Sequence, residues 1–190
     1  KWNRNSYLII PAIVLITTCL ALIQVTLPID FVEGGFYRDP LRNDIAGYLI
    51  SFQLILLLIL QWPIGNWISR KGRLFGLKFS LFCFGFSSLL LFSSSYLKLS
   101  GIFIMIIAII FCSIAISSFL PSSTDIVFQI APINKKGSAF AILSQCFAMG
   151  YFVQIIAGGL LDYFGNASNI WVGISISCFL MLAILIKKKL

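Results

Sequence analysis

Six separate apolar runs, each long enough to cross a bilayer, dominate the sequence. They extend roughly from Tyr7 to Pro28, Ile45 to Ile64, Leu74 to Ser95, Gly101 to Leu120, Ala139 to Leu161 and Asn169 to Ile186. A helix of about 20 residues spans the hydrocarbon layer, so every run qualifies. The runs are continuously apolar without alternation, and only helices or closed barrels satisfy their backbone hydrogen bonds in lipid; they therefore read as helices and not as barrel strands. Composition agrees: 59% of the 190 residues are hydrophobic and 11% charged, more apolar surface than a water-soluble domain could cover. The expected fold is an all-α membrane protein, one six-helix transmembrane domain over residues 1–190. The first run has spanning length and no small-residue cleavage site after it, unlike a signal peptide. The longest connection, Ile29 to Asp44, carries Gly34, Gly35 and Pro40 and reads as an external loop, ordered or mobile. The other connections are short, so neighbouring helices should pack antiparallel.

Charge gives the helices a direction. Eleven of the 14 Lys and Arg residues fall at one set of helix ends: Lys1, Arg4, Arg70, Lys71, Arg73, Lys78, Lys135, Lys136, Lys187, Lys188 and Lys189. Only Arg38, Arg42 and Lys98 lie at the other set, together with five of the six acids. By the positive-inside rule both ends of the segment are cytoplasmic, in an integral multi-pass protein expected in a bacterial plasma membrane. The net charge of +8 is then a matter of membrane edges. It does not form the single basic face that nucleic acid requires, and no nucleic-acid partner is expected.

An internal echo adds architecture. Helix two ends in Gly65, Ser69 and Gly72, and helix five in Gly158, Asp162 and Gly165; both read G-x3-[SD]-x2-G, with 93 positions between the copies (65 to 158, 72 to 165). Helices two and five hold equivalent places in two triplets. A triplet is odd in number, so the second copy crosses the membrane upside down, which gives an inverted three-plus-three repeat of the kind found in transporters. The simpler reading is that Gly, Ser and Asp merely end helices.

These residues carry a family resemblance. The stretch GNWISRKGRL, from Gly65 to Leu74, resembles the cytoplasmic loop motif of the major facilitator superfamily, G-x3-D-[RK]-x-G-[RK], with Gly65, Arg70, Gly72 and Arg73 matching and Ser69 in the acidic place. The resemblance implies that such charges link cytoplasmic helix ends, here Arg73 with Asp125; positive-inside topology alone is the competing explanation. In helix five, GYFVQIIAGG from Gly150 to Gly159 is similar to the family's antiporter motif, G-x3-G-P-x2-G-G. Gly150, Gly158 and Gly159 match, while Gln154 and Ile155 stand in place of the Gly-Pro pair. Gly150, Gln154 and Gly158 recur every four residues, a small-residue face suited to close helix packing.

The resemblance implies half of a twelve-helix major facilitator fold. Helix four lacks the arginine usual in the N-terminal half, and the chain opens in a basic stretch like an interdomain linker. The C-terminal half is therefore expected, with the N-terminal six-helix half of the same polypeptide as its partner; a six-helix protein that dimerises is the alternative. In the family the first and fourth helices of each half line the cavity and the second and fifth flank it. That implies Gln24, Gln53, Ser117 and Gln145 as substrate-pathway residues, the competing role being hydrogen bonds between helices. Thr17 and Gln24, Gln53 and Gln61, and Ser113 and Ser117 are spaced so that each pair shares a helix face.

No charged residue lies centrally in any span, so a proton-coupling group is expected in the other half or near an interface. There is no histidine, and Cys19, Cys83, Cys112, Cys146 and Cys178 are scattered without a C-x-x-C spacing. Buried thiols acting as small hydrophobes are expected, with no metal or cofactor. Trp62, Trp67 and Trp171 lie near span ends, where interfacial aromatics gather. Asn166-Ala167-Ser168 matches a glycosylation sequon, which matters only in a secretory pathway. The functional expectation is a secondary active transporter of a small solute, exporting or ion-coupled, seated in the lipid bilayer. The alternative is a scaffold or assembly factor that keeps the fold without transport. An enzyme is not expected, for want of a nucleophile, base and metal constellation.

Overall fold

The computed structural model describes residues 6–98, 101–130, 136–164 and 167–188. Six helices account for nearly all of them: α1 (Ser6–Glu33), α2 (Asn43–Lys71), α3 (Arg73–Ser94), α4 (Gly101–Ile130), α5 (Lys136–Phe164) and α6 (Ser168–Lys187). All six are long and apolar enough to cross a membrane, and no strand occurs among the described residues.

Each expected span is a helix, but several run further than hydropathy suggests. Helix α1 continues through Pro28 to Glu33, and α4 continues through Pro121 to Ile130. A proline removes one N–H donor and ends many helices in water. Within a membrane bundle hydroxyls and neighbouring helices satisfy the disturbed backbone. Around Pro121 the hydroxyls of Ser118, Ser122, Ser123 and Thr124 donate to the carbonyls of Ile114, Ser118, Leu120 and Pro121 at 2.7–3.1 Å. Helix α2 likewise passes Pro63 and carries GNWISRK as helix to Lys71. The reversal into α3 is made at Gly72, whose φ of 103° suits glycine.

Small residues set the helix contacts. Ser80 and Ser87 of α3 donate to the carbonyls of Ala115 and Ala108 of α4, at 2.9 and 2.8 Å. Ser175 of α6 donates to the carbonyl of Gly85 on α3 at 3.0 Å. At Gly150 of α5 an added Cβ would stand 2.7 Å from the Thr17 carbonyl of α1, so the two backbones touch. Such approaches, with hydroxyl-to-carbonyl bonds across them, replace the hydrophobic driving force that is absent between helices in lipid.

The inverted repeat has a structural counterpart. Thr17 Oγ1 of α1 donates to the Cys146 carbonyl of α5 at 2.8 Å, and Ser113 Oγ of α4 donates to the Gln53 carbonyl of α2 at 3.3 Å. The acceptors Gln53 and Cys146 are 93 positions apart, the spacing of the glycine echo, as are Pro28 and Pro121, which lie inside α1 and α4. Gly85 and Cys178, also 93 apart, meet each other, with an added Gly85 Cβ 3.3 Å from that of Cys178.

The α1–α2 connection is ordered. Gly34, at φ 87°, ends α1 and donates to the Asp30 carbonyl at 3.1 Å. The amides of Tyr37 and Arg38 both donate to the Ser95 carbonyl, at 2.8 and 3.2 Å, and that of Leu41 donates to the Phe31 carbonyl at 3.0 Å. Arg38 turns inward: Nη1 donates to Ser94 Oγ at 2.7 Å, Nη2 donates to the Asp30 carbonyl at 2.6 Å, and Nη2 lies 3.1 Å from Asp30 Oδ2. Both side chains are buried. Trp171 of α6 stands beside the Asp30 carboxylate and is buried, not interfacial as its place near a span end suggests. Ser95 and Ser168 meet at 2.6 Å between hydroxyls. The ends of α1, α3 and α6 are thus joined around one buried ion pair. The five cysteines are all free and buried, with Cys19 and Cys178 in contact at 3.7 Å between sulfurs.

Candidate functional site: a cavity between helices α1, α2, α4 and α5

A cavity of about 480 Å³ lies between α1, α2, α4 and α5. Each wall follows from the helix packing. Thr17, Gln24 and Pro28 of α1 come to it because they recur at intervals of seven and four, a single helix face. Gln53, Leu54 and Leu57 supply the α2 wall, Ile116 and Leu120 the α4 wall, and Phe147 and Tyr151 the α5 wall. On α5, Cys146 and Gly150 are fixed against Thr17. That contact sets the rotation of the helix and turns the adjacent pair Phe147 and Tyr151 to the cavity.

Of the four residues named from sequence, Gln24 and Gln53 line this cavity. Ser117 is buried beside it, between the lining residues Ile116 and Leu120, and its hydroxyl has no partner. Gln145 is exposed on α5 and does not line it. Gln61 lies instead in a separate cleft along α2 with Trp62, Gly65, Asn66 and Ser69. Sequence reasoning missed Tyr151, whose hydroxyl donates to Gln24 Oε1 at 3.2 Å and ties α5 to α1 across the cavity. The signal was present: once Gly150 is taken as the contact with α1, its neighbours at 147 and 151 must flank that contact.

Among the described residues, no carboxylate, amine or guanidinium lines the cavity. Its chemistry is therefore apolar contact and hydrogen bonding. The other residues singled out from sequence lie apart from it. Gly65 meets Pro121 of α4, an added Cβ being 3.9 Å from its Cγ, while nothing lies within 4 Å of one built at Gly72, Gly158 or Gly159. Ser69 donates to the Asn66 carbonyl at 2.8 Å. Arg70 is exposed, and Lys71 lies 5.6 Å above the Trp67 ring. Arg73 begins α3, but its side chain is outside the described residues, and so is any pairing with the exposed Asp125. The side chain of Asp162, on α5, and all of Gly165 in the internal echo also lie outside them.

A family model described as Major Facilitator Superfamily matches residues 4–189, essentially the whole chain. The chain belongs to the Major Facilitator Superfamily. No curated protein and no solved structure matches it significantly. Superfamily membership and the six spans together make it an integral multi-pass membrane protein and a membrane transporter in the general sense. The cavity lies among the first, second, fourth and fifth helices of this superfamily member, the four that the sequence resemblance puts around a transport path.

Proposed function

We propose that this chain is the C-terminal six-helix half of a secondary active transporter, which moves a small solute by rocking against the N-terminal half of the same polypeptide. The observation that carries the reading is the polar-dotted cavity enclosed by α1, α2, α4 and α5 in a superfamily member. Burial supports the missing partner. Only 17% of the most apolar stretch of α2 and 22% of that of α5 are buried, against 56% in α1, α3 and α4. The two helices flanking the cavity therefore have the most surface left for a second block to cover. The absence of an arginine from α4 favours the second half over the first.

In this reading both ends of the segment face the cytoplasm of a bacterial cell, as the basic residues direct. The described cavity wall has no carboxylate, so a proton-coupled cycle takes its titrating group from the other half. The test is solute flux through the full-length polypeptide in proteoliposomes, with and without a pH gradient. Saturable flux of a drug, sugar or organic ion is expected, with gradient-driven accumulation if coupling is to protons. Failure across all three classes would favour the scaffold reading.

A further inference from the structure

We propose that the solute this half receives is uncharged and mostly apolar, with one or two amide- or hydroxyl-type groups that engage Gln24 and Gln53. This rests on the cavity being the transport path and goes on to the chemistry of its wall.

Ten of the 14 lining residues are apolar. An ion placed against such a wall loses its hydration and gains no counter-charge, a cost that ordinary polar contacts do not offset. The nearest buried charges on α1 and its connection, Asp30 and Arg38, are 3.1 Å apart and engaged with each other; neither lines the cavity.

Most of the polar groups nearby are already committed. Thr17 Oγ1 lies 2.9 Å from the Val14 carbonyl and 2.8 Å from that of Cys146, so its one proton stays in the wall. Ser113 Oγ is held in the same way between the carbonyls of Ile109 and Gln53, at 3.0 and 3.3 Å. The Ser117 hydroxyl is unpartnered but lies beside the cavity and not in its lining, so two carboxamides remain in the wall itself. Gln24 accepts from Tyr151 at its Oε1, which fixes the side chain and leaves its NH₂ to donate. Gln53 is used by the fold only through its backbone carbonyl, so its side chain lines the cavity with donor and acceptor both available. Pro28 has no N–H for the Gln24 carbonyl four residues earlier, so that carbonyl lacks its usual helix bond, and both residues line the cavity. The described wall thus offers hydrogen bonds in both senses and no charge. A site built in this way discriminates against analogues that lack the matching group, because its own polar atoms are then left unpaired.

The experiment uses the purified full-length polypeptide. Binding is followed by thermal shift with three sets of size-matched aromatic compounds: neutral amides and alcohols, quaternary ammonium cations and carboxylate anions. Neutral compounds are expected to bind best, with affinity falling about tenfold or more in Gln53→Leu. Gln53→Asn should retain part of the affinity, and Gln53→Glu should move the preference toward the cations. Preferential binding of either ion class, weakened by Gln53→Leu, would overturn the proposal while leaving transport intact. Neutral binding indifferent to Gln24→Leu and Gln53→Leu would overturn it too. If nothing binds and nothing crosses in the flux assay, the transport reading falls with it.

Discussion

Asp30 and Arg38 stabilise the bundle only as a pair. Removing one partner of a buried ion pair leaves a charge without compensation, whereas replacing both with apolar residues of similar size is often neutral. Asp30→Asn or Arg38→Met alone should therefore lower unfolding stability in detergent by roughly 3–5 kcal/mol, while Asp30→Leu combined with Arg38→Met stays near the parent. Single variants as stable as the parent would show that the pair is solvated. At Gly150 the prediction is steric. Gly150→Val places a side chain against the Thr17 backbone and should cost about 1–3 kcal/mol. Gly158→Ala and Gly159→Ala, which meet nothing within 4 Å, should stay within about 0.5 kcal/mol in the same unfolding measurement. The sequence alone distinguishes none of these sites. The three glycines belong to one motif, and Asp30 and Arg38 read as members of a polar loop. What buries the pair is the return of the connection onto Ser95, a contact between segments nearly 60 residues apart, and local pattern does not contain it.

The helices themselves were legible, because a spanning length of apolar residues admits few other structures. Their ends were not. Pro28 and Pro121 look like terminators by the rules of helices in water, yet α1 and α4 pass through both. The 93-residue spacing relates these two prolines as it does the glycines of α2 and α5, so the repeat was written more fully in the sequence than its glycines alone suggested. Rotation about the helix axis was harder to read. A membrane helix is apolar on nearly every face, and hydrophobic periodicity fails to mark the inward side. That is why Gln24 and Gln53 fall on the cavity and Gln145 does not, although all three are glutamines in spans. Pro28→Ala tests the element directly. It restores an amide to the Gln24 carbonyl, and should raise the melting temperature while weakening solutes that donate hydrogen bonds. Weaker folding with unchanged affinity would mean that the proline serves the helix bend and not the cavity.

As a whole the molecule has three well-buried helices and three largely uncovered ones, α6 at 28% among the latter. Helices α1, α3 and α4 are the most buried and hold the bundle together, while α2 and α5 flank the cavity with much of their surface uncovered. That division suits a body that moves as a unit against a partner. Transport by this half requires the cavity to be the path the solute takes. Ala21 is a small lining residue, 2% exposed, on the α1 wall, and Ala21→Phe adds a ring there. The decisive measurement is saturable solute flux in proteoliposomes made with the full-length parent and with Ala21→Phe, at equal protein incorporation and with folding checked by melting temperature. The folded variant is expected to lose most of the flux. Flux equal to the parent's would place the path elsewhere and contradict this assignment of the cavity.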